Sequence, residues 1–166
     1  LETAEKALEL VFEQDNFKAL DKAHQLDALN KKRQTLQRSA LETAIKKAEQ
    51  YQSDNVLVVE DESFNDGIIG IVASGLVEKF KKPVFVIGVG NEISKGSARS
   101  FGDFSVSQAV KAAAGFIIKG GGHDAAAGVT LETSQISNFR KAVNKFYKSL
   151  NLKNQADKLV PAVDVK

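Results

Sequence analysis

Apolar residues along this chain follow two patterns, one helical and one strand-like. The first fifty residues are helical in pattern. "ETAEKALELVFE" leads to a polar break at Gln14-Asp15-Asn16. Phe17, Leu20, Leu26, Leu29, Leu36, Leu41, Ile45 and Ala48 then recur at mixed three- and four-residue steps, which predicts one long helix. Asp15 or Asn16 is placed to cap its start. Such a helix would be roughly 50 Å long at about 1.5 Å per residue. A compact domain of this size does not need that length, so a kink or a connecting role is expected.

"NVLVVE" (55–60) and "PVFVIGV" (83–89) are short continuous apolar runs, the pattern of strands buried on both faces. Between them, Ile68, Ile69, Val72, Leu76 and Phe80 in "GIIGIVASGLVEKF" have helical spacing. A βαβ unit with parallel strands follows, and Gly70 would let its helix sit close to the sheet. "EISKGSARSF" predicts a turn into a more polar, exposed strand. "SVSQAVKAAAGFII" predicts a helix capped by Ser105 or Ser107. "AAAGVTL" predicts a strand after a glycine turn. "TSQISNFRKAVNKFYKSL" carries Ile136, Phe139, Val143, Phe146 and Leu150 on one stripe, with Thr133 or Ser134 as cap. After residue 150 the chain turns polar and then reads "LVPAVDV", an expected first strand of a further domain.

Composition narrows the classes. The 166 residues are 43% apolar, enough for a sizeable core. The absence of cysteine excludes disulfides and thiolate metal sites and suits a reducing cytosol. No apolar run approaches membrane-spanning length. Net charge is +2, too small to argue for or against nucleic acid. The helical segment balances nine acidic against nine basic residues, so Lys31-Lys32-Arg33 is a solvated face. The chain begins at Leu1 and has no methionine, which leads us to expect a piece of a longer polypeptide.

Chemistry is expected beyond the carboxyl ends of the parallel strands. Asp61, Glu62 and Asp66 lie in one such segment, but nothing adds a histidine or a second carboxylate cluster, so no metal site is expected here. "KGSARS" alternates Lys95, Ser97, Arg99 and Ser100 with small residues. On a strand, Ser97 and Arg99 share a face. A hydroxyl beside a guanidinium suits one phosphate, although an exposed strand carries such polar residues without function too. "KGGGHDAAAG" holds His123, one of two histidines. Its glycines fit a phosphate-binding nest or the turn that ends a helix. Both readings stand on spacing alone. His24, in the long helix, is a solvated or boundary residue. There is no G-x-S-x-G elbow, Walker loop or G-x-G-x-x-G after a strand.

Taken together and in order, "GIIGIVASGLVEKF-KKPVFVI", "KGSARSF" and "GGGHDAAAGVTL" resemble the DHH-associated domain of the RecJ family. These are bacterial 5′→3′ single-strand-specific DNA exonucleases of the DHH phosphoesterase superfamily. "LDALNKKRQTLQ" is similar to the helical lead-in of that domain, and "LVPAVDV" to the start of the OB-fold that follows it. The resemblance implies an α/β fold: a mixed β-sheet with flanking helices, preceded by a long connecting helix. It implies a lead-in over 1–50, the DHH-associated domain over 51–150 and a tail over 151–166. It also implies a cytoplasmic hydrolase of DNA repair and recombination. In such a protein two Mn²⁺ or Mg²⁺ ions sit on a DHH domain lying outside this chain, so this chain alone would be inactive and hold no metal itself.

Carried over by position, Ser97 and Arg99 would hold a phosphate near the scissile bond. Gly121, Gly122 and His123 would face the metals and the scissile phosphate, with His123 assisting catalysis. Single-stranded DNA is the implied partner, and repair proteins (a helicase, a single-strand-binding protein) are further ones. Some residues depart from the family pattern. Phe64 stands where tryptophan is common, Gly75 where arginine often follows "VAS", and Ala98 where glycine is common. Asp124 follows the histidine, where its charge would oppose a phosphate unless turned away or paired. The alternatives are the same domain in a nanoRNA or cyclic-dinucleotide phosphodiesterase, and a non-catalytic interaction module.

Overall fold

The structure is a computed structural model that describes residues 2–150. The "LVPAVDV" expectation lies outside the described residues. Helix α1 (Glu2–Val11) is followed by the 33-residue α2 (Asn16–Ala48). Asp15 caps α2: its Oδ1 accepts from the N–H groups of Phe17 (2.9 Å) and Lys18 (3.2 Å). Two compact units divide between Ser39 and Ala40, inside α2. The last turns of α2 belong with the sheet because Ala40, Ala44 and Ala48 are buried in its core.

The second unit holds a five-stranded mixed sheet in the order β1-β2-β3-β5-β4. Its strands are β1 (Leu57–Asp61), β2 (Val84–Gly88), β3 (Ile93–Arg99), β4 (Lys119–Gly122) and β5 (Ala126–Glu132). β1 and β2 are parallel and joined by α3 (Ile69–Phe80). The remaining pairings are antiparallel. The expected mixed sheet with helices on both faces is therefore present.

Strand alternation builds two cores. Leu57, Val59, Val84 and Val86 pack under α3 and the end of α2. Val58, Phe85, Ile87, Ala98, Val129 and Leu131 face the other way, under α4 (Val106–Ala112) and α5 (Ile136–Ser149). There Phe85 and Phe139 meet edge to face, ring centroids 5.1 Å apart, a favoured aromatic geometry. Val56 lies just before edge strand β1. Its N–H donates to Asn144 Oδ1 at 3.0 Å, and its carbonyl accepts from Asn144 Nδ2 at 2.9 Å. α5 thereby satisfies backbone groups that an open edge would leave unpaired.

Three local expectations change. The helix expected over 105–118 ends at Ala112, and a 3₁₀ turn follows over Ala114–Phe116; Gly115 within that turn is a poor α-helix former. Ser105 is its cap, accepting from the Gln108 N–H at 3.1 Å. Neither Thr133 nor Ser134 caps α5. A 3₁₀ turn spans Thr133–Gln135, and the Thr133 hydroxyl donates to the Gly90 carbonyl at 2.9 Å. Finally, the glycine run is not a turn. Lys119–Gly122 is strand β4, paired with β5, so both the nest and the helix-end reading of those glycines are replaced. The turn itself is Asp124-Ala125, closed by the His123 N–H donating to the Ala126 carbonyl (2.8 Å) and its return bond (3.3 Å).

Candidate functional site

α3 lies over β2 and β3, while on the same face β5 and β4 remain open, with Gly128, Lys119 and Gly121 exposed. Register sorts the exposed residues of that face into cross-strand rows. Ser97 pairs with Gly128, and Gly128 with Gly121. One step along, Arg99 pairs with Ala126, which closes the hairpin with His123. One step the other way, Lys95 pairs with Thr130, and Thr130 with Lys119. A floor of small residues is thus flanked by a row containing arginine and histidine and a row containing two lysines.

Ser97 and Arg99 do share a face and meet. Arg99 Nη1 donates to Ser97 Oγ at 3.1 Å and to the Ala98 carbonyl at 2.8 Å. The guanidinium lies against α3 because position 70 has no side chain: a Cβ on Gly70 would come 3.0 Å from Arg99 Nη2 and 3.4 Å from Ser97 Oγ. The first turn of α3, Ile69 to Ile71, rims an open cleft of about 740 Å³ together with Lys95, Ser97, Arg99 and Lys119. The positive end of the α3 dipole adds to the attraction of these cations for an anion.

The three glycines of β4 differ in role. A Cβ on Gly120 would strike Val110 Cγ1 at 2.8 Å, on the α4 side. Gly121 meets nothing within 4 Å and leaves the floor bare. Gly122 has φ +154°, and a Cβ there would come 2.3 Å from the Ala126 carbonyl oxygen, so only glycine closes this hairpin. Gly121, Gly122 and His123 lie at the hairpin end, outside the residues that line the cleft. His123 is exposed, in the row of Arg99 but two strands away, roughly 10 Å at strand spacing.

Asp124 is turned away from this face. Its carboxylate accepts from the hydroxyls of Ser105 and Ser107, the latter at 2.9 Å. Those hydrogen bonds, Ser105 first, hold its pKa below the usual carboxylate range. The Asp124 carbonyl also accepts from the Val106 N–H at 3.1 Å. The hairpin tip is thus tied to the start of α4. The other departures also avoid the cleft. Phe64 is a buried core residue and Ala98 lies beneath α4 and α5. A Cβ on Gly75 would point at Leu41 Cδ1, 2.9 Å away.

Asp61 and Asp66, near the strand ends, have partners. Asp61 pairs with Lys47 at 2.6 Å and accepts from the Ser63 hydroxyl at 2.6 Å. Lys47 foremost, then Ser63, lowers its pKa to about 2. Asp66 pairs with Lys95 at 2.6 Å. His24 is exposed on α2. Among the described residues no group of three histidines or carboxylates is placed to hold a metal, so the residues present do not fit the Mn²⁺ or Mg²⁺ of the family. No described helix is long and apolar enough to cross a membrane.

Sequence reasoning missed Lys119 and Thr130. They join the site only through the β4–β5–β3 register, which local spacing does not encode.

Residues 53–149 match the DHHA1 domain family. The chain is 36% identical over 148 residues to the single-stranded-DNA-specific exonuclease RecJ of Bacillus subtilis, covering 87% of this chain and 19% of that protein. It is 32% identical to the RecJ exonuclease of Thermus thermophilus, covering 86% of this chain and 21% of that one. The chain thus spans about a fifth of the length of these curated relatives. Among solved structures, an exonuclease RecJ bound to manganese superposes with a TM-score of 0.82 at 29% identity, covering 98% of this chain and 40% of that chain. RecJ from Thermus thermophilus in complex with Mn²⁺ gives 0.80 at 31%, covering 88% and 22%. The chain belongs to the DHHA1 domain family, in the form carried by RecJ exonucleases.

Proposed function

We propose that this domain grips the backbone of single-stranded DNA for a metal-dependent 5′→3′ exonuclease, with the metal ions held by a different part of the parent protein. The observation that carries this reading is the Arg99 guanidinium, held over the Ser97 hydroxyl beside the bare Gly128–Gly121 floor. Arginine supplies charge and paired donors to a phosphate, and serine supplies a further donor. The absence of side chains on the floor lets a sugar–phosphate chain approach the backbone closely.

His123, at the hairpin end of the same face, is the donor that meets charge developing on the scissile phosphate. Donors fixed in advance are most effective where charge builds up in the transition state. Asp124 is a positioning residue: its bonds to Ser105 and Ser107 fix the tip and keep its own charge off the phosphate path. This role belongs in the cytoplasm, alongside other repair proteins.

The test is binding of a fluorescent oligothymidylate to this chain at several salt concentrations. Arg99→Ala should weaken binding and flatten the salt dependence by about 0.7 in log–log slope, the contribution of one phosphate contact to a single strand. With Mn²⁺ the chain alone should leave the strand intact. Unchanged binding by Arg99→Ala, or degradation by the purified chain, would contradict this reading.

A further inference from the structure

The cleft extends one row beyond Ser97 and Arg99. Lys95, Thr130 and Lys119 stand in register across β3, β5 and β4, and all three line the same cleft. Lys95 is two residues from Ser97 on one strand, so the two rows are about 6.7 Å apart along the sheet. That separation suits successive phosphates on an extended strand. Beside Ser97 its own row carries no side chain at Gly128 or Gly121, so a sugar can lie across it.

We propose that Lys95, Thr130 and Lys119 form a second phosphate subsite, which takes the nucleotide phosphate next to the one held by Ser97 and Arg99. This inference rests on the phosphate-gripping reading above. Two lysines supply charge from opposite sides of the row, and the Thr130 hydroxyl supplies a donor between them.

Asp66 is the exchangeable counter-ion of this subsite. It sits 2.6 Å from Lys95 Nζ, and the two side chains remain 58% and 60% exposed. A pair so open to water is held weakly, so an arriving phosphate can replace the carboxylate at Lys95. The next row along the sheet pairs Ile93 with Glu132, where a carboxylate and an apolar side chain replace the cations. The phosphate track on this sheet therefore ends after two positions.

The experiment compares thymidine 5′-monophosphate, which carries one phosphate, with a 5′-phosphorylated thymidine dinucleotide, which carries two. Affinities are measured by NMR titration of this chain. Lys95→Gln and Lys119→Gln should each weaken the dinucleotide by roughly two- to fivefold, the range of an exposed charge pair, and weaken the mononucleotide by less. Asp66→Asn should tighten the dinucleotide by a similar factor, because it frees Lys95. Arg99→Ala should weaken both ligands.

If Arg99→Ala weakens both while the two lysine variants leave the dinucleotide unchanged, the second subsite is overturned and the first stands. If Arg99→Ala weakens neither, the phosphate-gripping reading itself fails. Looser dinucleotide binding by Asp66→Asn would overturn the counter-ion role of Asp66.

Discussion

Gly70 on α3 and Arg99 on β3 face each other so closely that a methyl group on Gly70 would come 3.0 Å from Arg99 Nη2. The nearest atom is the end of a flexible side chain, so the guanidinium would move and the backbone would stay. Gly70→Ala should therefore weaken oligonucleotide binding without loss of fold. The helix gains about 0.5–1 kcal/mol from replacing glycine, which sets an upper limit on any rise in stability. Thermal melting and binding measured together check this. Unchanged affinity would mean that the position of the guanidinium does not govern binding.

His123 closes the hairpin through its backbone, so its side chain can be changed without opening the turn. In the parent exonuclease, His123→Ala should lower kcat while leaving KM nearly unchanged, the signature of a contact made in the transition state. Single-turnover kinetics on a 5′-phosphorylated strand would read this. An unchanged kcat would restrict His123 to its role in the hairpin.

Asp61 ties β1 to α2 through Lys47, and its pKa is lowered from 3.8 to about 2. A carboxylate with a lowered folded pKa binds fewer protons in the folded state than in the unfolded one. Its stabilising effect is thus complete above about pH 4. It is lost as the pH falls through the lowered value of about 2. Urea unfolding between pH 5 and pH 2 should show this decline, and Asp61→Asn should remove part of it. An identical pH profile for the variant would contradict the assignment.

Asn144 answers both the N–H and the carbonyl of Val56. Asn144→Ala leaves those buried groups unpaired, which costs about 1–3 kcal/mol. The midpoint of urea unfolding should fall accordingly. An unchanged midpoint would mean that water satisfies the Val56 backbone equally well.

Much of this fold can be read from local sequence because side-chain periodicity reports it directly. Ile136, Phe139 and Val143 mark α5 by their spacing and are its buried residues. The valine-rich runs mark β1 and β2, and the alternation in "KGSARS" puts Ser97 and Arg99 on one face. β4 escaped because glycine has no side chain, so periodicity is silent over Gly120 to Gly122. Their strand exists through pairing with β5, which tertiary contacts decide. The lysine row has the same origin: Lys95 and Lys119 are far apart in sequence and meet only through Thr130. The path of Asp124 was hidden because its partners, Ser105 and Ser107, lie at the start of a helix whose placement local sequence does not specify.

The most direct test of the central claim is a map of amide shifts in the ¹⁵N-labelled chain as a short 5′-phosphorylated oligothymidylate is added. The account predicts the largest changes at Ser97, Arg99, Gly121 and Gly128, with little change at Lys141 and Lys145 on α5. Changes centred on α5, or none on the Ser97–Gly128–Gly121 row, would contradict it.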